Sequence, residues 1–101
     1  MPKAKAPHYQ LLLFTKERCA PCAVAKPQVE KAAAELGLEF ELLDVYSERG
    51  EQLLLPFNIL SVPTLIVLKD GKKWLEFSGG KDLTTKHLVE RITKQLAKET
   101  D

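Results

Sequence analysis

The stretch Arg18-Cys19-Ala20-Pro21-Cys22 contains both cysteines of the chain and decides how the surrounding sequence is interpreted. It follows the apolar run at residues 11–14 and precedes a helical pattern, so the two thiols stand where a strand passes into a helix. The unpaired N–H groups of a first helical turn stabilise a thiolate, and Pro21 suits that turn because it needs no hydrogen bond there. The spacing therefore predicts a reversible disulfide, with Arg18 favouring the thiolate form of Cys19.

The composition predicts a single ordinary globular domain. The chain has 101 residues, is 45% hydrophobic and 29% charged, and carries a net charge of +1, which indicates neither a nucleic acid nor a membrane as partner. Residues 1–7 are basic and contain no apolar segment that could serve as a secretory signal, and no apolar run is long enough to span a membrane. We therefore expect a cytoplasmic protein, in which a cysteine pair is catalytic rather than structural.

Hydrophobic periodicity predicts an α/β fold with the element order βαβαββα. A flexible N-terminal tail covers residues 1–8, and one domain covers residues 9–101. Strands are predicted at 9–15, 38–45, 65–68 and 73–78, and helices at 20–36, 48–57 and 82–98. Asp70-Gly71 predicts a two-residue hairpin, whereas the two βα units predict parallel strands joined by right-handed crossovers. The result is a four-stranded mixed sheet with helices on both faces.

Several motifs at matching intervals resemble those of the thioredoxin family over residues 9–98. They are Cys19-Ala20-Pro21-Cys22, Pro27 inside the first helix, Ser61-Val62-Pro63-Thr64, Asp70-Gly71 and Gly79. The resemblance implies a thioredoxin-like fold and a cis Val62–Pro63 bond facing the cysteines. It also implies that the backbone before the proline binds substrate like an added strand. Candidate substrate-binding residues are Arg18, Ala20, Pro21, Val62, Pro63 and Gly79, and the catalytic pair is Cys19 and Cys22.

The sequence departs from the family pattern at several positions. Arg18 stands where thioredoxins usually have Trp, Ala20 replaces Gly, and Ala23 replaces a frequent Lys. The chain is expected to be a short form that lacks the first strand and helix of the family. The family's buried aspartate and its lysine partner correspond to Leu13 and Leu42, so we expect two packed leucines and no carboxylate there to serve Cys22.

The predicted function is thiol–disulfide exchange. Cys19 attacks a protein disulfide, and Cys22 then resolves the mixed disulfide. No metal or organic cofactor is required beyond the Cys19–Cys22 disulfide itself. The expected partners are disulfide-containing proteins and an electron donor, either a reductase of the thioredoxin-reductase type or glutathione, and the chain is expected to be a monomer.

Three alternatives stay open at this point. Lys16, three residues before Cys19, and Gly79-Gly80 are similar to glutathione-contacting features of glutaredoxins, although Ala20-Pro21 and Pro27 favour the thioredoxin interpretation. A metal site could combine the two cysteines with His8 and His87, although their spacing matches no metal motif. A non-catalytic binding module with the same fold is the third alternative.

Overall fold

The computed structural model describes residues 7–99 and has the predicted order of elements. These are β1 (Tyr9–Thr15), α1 (Ala20–Leu36), β2 (Glu39–Asp44), α2 (Glu48–Leu54), β3 (Thr64–Lys69), β4 (Lys72–Ser78) and α3 (Thr85–Glu99). Most of the predicted tail, residues 1–6, lies outside the described residues. At its end, His8 donates its backbone N–H to Asp70 Oδ1 at 2.9 Å.

The four strands form one mixed sheet in the order β2-β1-β3-β4. β1 pairs in parallel with β2. β3 pairs antiparallel with its two neighbours, β1 and β4. The prediction of a mixed sheet is confirmed. The hairpin is confirmed as well, because Asp70 and Gly71 have φ angles of 52° and 82°, the positive values that a two-residue turn of this kind requires.

The prediction that the second βα unit joins parallel strands is wrong. Strand β3 runs antiparallel to β1, with Phe14 opposite Thr64. Because β2 is parallel to β1, β2 ends and β3 begins at the same end of the strands. The helix in this connection has seven residues and a length of about 10 Å, which is shorter than the roughly 20 Å of a six-residue strand. The chain is therefore not carried back along the sheet before β3 starts.

The middle residues of the two central strands, 11–14 of β1 and 65–68 of β3, are all apolar because both sheet faces are covered. Leu11 and Leu13 pack on the face that α1 and α3 cover, in a cluster with Val29, Leu88 and Ile92. On the opposite face, where α2 lies, the second cluster contains Leu12, Phe14, Leu43, Ile66 and Leu68. Alternation along a strand sends successive side chains to opposite faces, so the run at residues 11–14 supplies both clusters.

The helix ends follow local signals. α1 spans the predicted residues and ends before Gly37, whose φ of 68° is left-handed. The kink expected at Pro27 stays a prediction. α2 stops at Leu54 rather than residue 57, ahead of Pro56. α3 begins at Thr85 rather than residue 82, and Thr84 Oγ1 accepts the His87 N–H at 3.3 Å. No helix within residues 7–99 has the length and apolar content needed to cross a bilayer.

Glu99 attaches the end of α3 to the sheet. Its carboxylate accepts hydrogen bonds from Gln95 at 2.8 Å, from Lys69 Nζ at 2.8 Å and from Trp74 Nε1 at 2.6 Å. These bonds, with that from Gln95 the largest contribution, lower the pKa of Glu99 from 4.5 to about 2. Trp74 also packs against Tyr9, with ring centroids 4.9 Å apart.

Candidate active site

The two cysteines form a disulfide at the N-terminus of α1. Cys19 is the N-cap residue in an extended conformation, and the two Cα atoms are 5.2 Å apart. The Cys22 N–H donates to Cys19 Sγ at 3.2 Å, so the sulfur occupies the place that a capping oxygen usually takes. Cys22 is buried, with 4% of its surface exposed, whereas Cys19 is half-buried. Cys19 is therefore the more exposed of the two cysteines.

The backbone before Cys19 turns sharply from strand to helix. Arg18 has a φ of 55°, a left-handed conformation that costs a residue with a Cβ of the order of 1–2 kcal/mol. The Cys19 carbonyl accepts the Ala23 N–H at 3.1 Å, which begins the helix directly after this turn. The turn brings the exposed Arg18 next to the disulfide at the edge of the sheet.

A groove runs from Cys19 to the segment before β3. We call it the apolar groove; its volume is about 660 Å³. The Val62–Pro63 bond at one wall is cis, and Pro63 itself is buried. The apolar groove is lined by Lys16, Arg18, Cys19, Ala20, Pro21, Val45, Tyr46, Glu51, Leu54, Ile59, Leu60, Ser61 and Val62.

Two large side chains of the apolar groove are unusually exposed. Leu60 is 85% exposed and Tyr46 is 76% exposed. Exposed apolar side chains grouped beside a reactive centre are typical of a surface that contacts another molecule. The groove therefore presents exposed apolar surface next to Cys19.

A second concavity adjoins Cys19 and shares Lys16, Arg18, Cys19 and Ala20 with the apolar groove. We call it the basic depression; its volume is about 540 Å³, and it is lined by Thr15, Lys16, Arg18, Cys19, Ala20, Cys22, Ala23 and Lys26. No carboxylate is among these residues. The Thr15 hydroxyl donates to the Leu43 carbonyl at 3.4 Å and is the uncharged polar side chain of this lining.

Most of the predicted site residues meet in one place. Arg18, Ala20, Pro21 and Val62 line the apolar groove together with Cys19. Gly79 is not part of that lining. Ser78 pairs with Thr64, so Gly79, which follows Ser78, and Pro63, which precedes Thr64, lie at the same end of these two strands.

The glutathione-contacting features proposed for a glutaredoxin-like site are not brought into one cavity. Lys16 lines both concavities beside Cys19. Gly80 instead lines a smaller cavity of about 240 Å³ together with Pro21, Val24 and Leu83.

The expectation of two packed leucines is wrong for one of them. Leu13 is fully buried among apolar side chains, but Leu42, its partner across β1 and β2, is 43% exposed. Leu42 lies on an edge strand, where one side has no neighbouring strand to cover it. Two other acids lie close to the cysteines in the sequence or across the sheet: Glu17 is exposed, and Asp44, the β2 partner of Thr15, uses Oδ1 to accept the Tyr46 N–H at 2.7 Å.

The histidines have partners away from the disulfide. His8 Nε2 lies 2.6 Å from Glu39 Oε2, at the end of β1 opposite Cys19. His87 lies 3.5 Å from Asp82 and packs edge-on against Phe77. Among residues 7–99, no three His, Cys, Asp or Glu side chains are grouped to hold a metal ion.

Some residues that line the two concavities were not predicted from the sequence. Leu60 and Tyr46 line the apolar groove, and Lys26 lines the basic depression. Lys26 follows Cys22 by four residues, and this helical spacing puts both on one face, so a signal for it was present in the sequence. Tyr46 and Leu60 carried no local signal, because their position depends on how the β2–β3 connection folds back.

Comparison with known proteins identifies one family. The family model described as Thioredoxin matches residues 4–94. A chloroplastic thioredoxin Y2 of Arabidopsis thaliana is 32% identical over 86 residues, which cover 85% of this chain and 50% of the relative. A thioredoxin of Bacillus subtilis is 30% identical over 77 residues, covering 69% of this chain and 73% of the relative. This chain thus spans about half the length of the Arabidopsis protein.

Solved structures give the same result for the fold. The X-ray structure of Fasciola hepatica thioredoxin superposes with a TM-score of 0.70 at 31% identity, covering 86% of this chain and 80% of that one. A thioredoxin 1 from Thermosipho africanus has a TM-score of 0.75 at 17% identity and covers 91% of this chain and 99% of that one, which supports the fold alone.

Proposed function

The chain belongs to the thioredoxin family, and we propose that it is a thiol–disulfide oxidoreductase that reduces protein disulfides through Cys19 and Cys22. The observation that carries the proposal is the disulfide at the start of α1, with one sulfur accessible, the other buried, and a groove beside the accessible one. No cofactor takes part, because the two electrons come from the dithiol form of the pair.

The reaction starts from the reduced protein. The Cys19 thiolate attacks one sulfur of the substrate disulfide, a Cys19–substrate disulfide forms, and the first substrate thiolate leaves and takes a proton from water. The N–H of Cys22, which points at Cys19 Sγ in the oxidised form, is placed to stabilise negative charge on that sulfur. The Cys22 thiol then gives its proton to water and attacks Cys19 Sγ as a thiolate. The Cys19–substrate bond breaks, and the second substrate thiolate leaves and takes a proton from water. Two electrons have passed to the substrate, and the Cys19–Cys22 disulfide is restored.

The substrate segment is proposed to bind in the apolar groove. The half-buried Val62 precedes Pro63, and its backbone is the part of the wall that an extended segment could pair with as an added strand. Leu60 and Tyr46 supply the apolar contacts next to it. Arg18, Ala20 and Pro21 complete the contact around Cys19, and Gly79 contributes from the neighbouring turn.

Cysteine variants test the assignment of roles. Reduced Cys22→Ser should trap a mixed disulfide between Cys19 and a peptide disulfide, detected as a mass increase of one peptide. Reduced Cys19→Ser should trap none and should not release peptide thiol at a measurable rate. Faster alkylation of Cys22 than of Cys19 in the reduced wild type would contradict the assignment.

The electron donor is proposed to be a reductase of the thioredoxin-reductase type. Lys16 and Gly80 lie in separate cavities, so nothing in this site favours glutathione over such a reductase. Recycling of the oxidised protein should be measured with several thioredoxin reductases and, in parallel, with glutathione. Turnover with glutathione and with none of the reductases would reverse the assignment.

We further propose that the chain acts as a monomer in the cytoplasm, although the Arabidopsis relative is described as chloroplastic.

A further inference from the structure

The basic depression carries three cations and no counter-charge. Lys16, Arg18 and Lys26 all line it, next to both cysteines. Among residues 7–99, none of these three forms an ion pair or a side-chain hydrogen bond. Other cations of the chain do pair, as Arg49 does with Glu41 and Lys69 with Glu99.

The local charge exceeds that of the whole chain. The net charge is +1, so cations and acids nearly balance overall. Four acids occur in neighbouring segments: Glu17 is exposed in the same loop, Asp44 is the β2 partner of Thr15, Glu30 is one turn beyond Lys26 on α1, and Glu51 lines the apolar groove. None of them lines the basic depression. A substrate that reaches Cys19 from this side therefore meets positive charge that no carboxylate of the lining offsets.

We propose that the basic depression selects protein disulfides flanked by Asp or Glu. This inference rests on the proposed function. The occupant is a polypeptide because it can contact both concavities beside Cys19. Lys16 and Arg18 line both of them, Lys26 adds a third cation on the side of α1, and Tyr46 and Leu60 add apolar contacts on the side of the β2–β3 connection. An extended segment advances about 3.3 Å per residue, so side chains one to three positions from the substrate cysteine reach either side. An apolar residue on one side and an acidic residue on the other match both surfaces.

Exposed charge pairs of this kind give a modest and salt-sensitive preference. Each pair changes the rate by at most about fivefold, and attraction between unlike charges acts mainly on association. Added salt screens it over a distance of about 10 Å at 0.1 M. The acidic preference should therefore be largest at low ionic strength and should nearly disappear at about 0.5 M salt.

The test uses three synthetic peptide disulfides that differ at one position. This position lies two residues from the cysteine and is occupied by Glu, Gln or Lys. The second-order rate of reduction by the pre-reduced protein is measured for each. Every rate is divided by the rate of the same peptide with dithiothreitol, which removes differences in the intrinsic reactivity of the disulfide. The expected order is Glu, then Gln, then Lys, with about threefold between neighbours at low salt.

Two variants locate the preference. Lys26→Gln should reduce the ratio of the Glu rate to the Gln rate by about twofold. Lys31→Gln, which also removes one exposed cation from α1 but lies outside the depression, should leave the ratio unchanged. Both variants have the same net charge, so an effect of overall charge would appear in both.

The outcomes separate this inference from the proposed function. If all three peptides are reduced at the same normalised rate, the preference for acidic substrates is overturned and the oxidoreductase function stands. If Lys31→Gln lowers the ratio as much as Lys26→Gln, the basic depression is not its source and the inference fails. If no peptide is reduced, the proposed function itself fails.

Discussion

Leu13→Asp introduces a carboxyl group where the thioredoxin family has a buried aspartate, but into a site that offers it no partner. Leu13 is 0% exposed, and its neighbours across the sheet are Leu42 on β2 and Leu65 on β3. The cluster around it is entirely apolar. The variant should therefore fold less stably than the wild type, and its stability should depend on pH.

The expected loss has two parts. Removing a buried leucine side chain costs about 2–5 kcal/mol. Burying a protonated carboxyl group without hydrogen bonds adds about 1–3 kcal/mol. A domain of this size has an unfolding free energy of about 5–15 kcal/mol in total, so the variant should lie close to the limit of stable folding.

The sign of the pH dependence follows from desolvation, which raises the pKa of a buried carboxyl group. Between the unfolded pKa of about 3.9 and the raised folded pKa, the folded protein holds a proton that the unfolded chain has lost. The unfolding free energy of Leu13→Asp should therefore fall as pH rises through this window, by up to about 1.4 kcal/mol per pH unit. The charged form cannot be buried without a further loss.

The assay is urea unfolding of the oxidised protein from about pH 5 to about pH 8, followed by the fluorescence of Trp74, the single tryptophan. Leu13→Asn is the matched control, because its side chain has the same shape and polarity but does not titrate. It should lose stability by a similar amount and should show the pH dependence of the wild type. Equal pH dependence of the Asp and Asn variants, or wild-type stability of Leu13→Asp, would refute the reasoning.

Three further predictions concern the site and its support. Because no carboxylate lines the basic depression, the pH dependence of mixed-disulfide resolution in single turnovers should show one titration, that of the Cys22 thiol; a second one near neutral pH would contradict this. The lowered pKa of Glu99 stabilises the fold above about pH 4.5, and this contribution is lost as pH falls towards 2. The unfolding free energy of Glu99→Gln should therefore depend less on pH in this window than that of the wild type. An unchanged pH dependence would contradict the prediction. A Cβ at Gly50 would overlap the Asp44 backbone carbonyl, so Gly50→Ala should lower the unfolding free energy by about 1–3 kcal/mol in urea, whereas Gly80→Ala, which has open space, should change it little.

The element order and the reactive pair could be predicted from the sequence because they depend on interactions between near neighbours. The apolar run at residues 11–14 predicted a strand covered on both faces, and Gly37 and Asp70-Gly71 predicted a helix end and a hairpin. The predicted bounds of α1 are those of the structure. The spacing of Cys19 and Cys22 predicted a disulfide at a helix N-terminus, because residues three apart meet within one helical turn.

The tertiary structure decided what surrounds that pair. The direction of β3 depends on whether the β2–β3 connection crosses to the other end of the strands before β3 begins. The second βα pattern predicted such a crossing, and the prediction was wrong. The same connection brings Tyr46 and Leu60 to Cys19 and forms the apolar groove. The exposure of Leu42 follows from the position of β2 at the edge of the sheet. Each of these features is set by strand pairing and side-chain packing between segments far apart in the chain. The free energy of such pairing and packing cannot be read from a local pattern of residues.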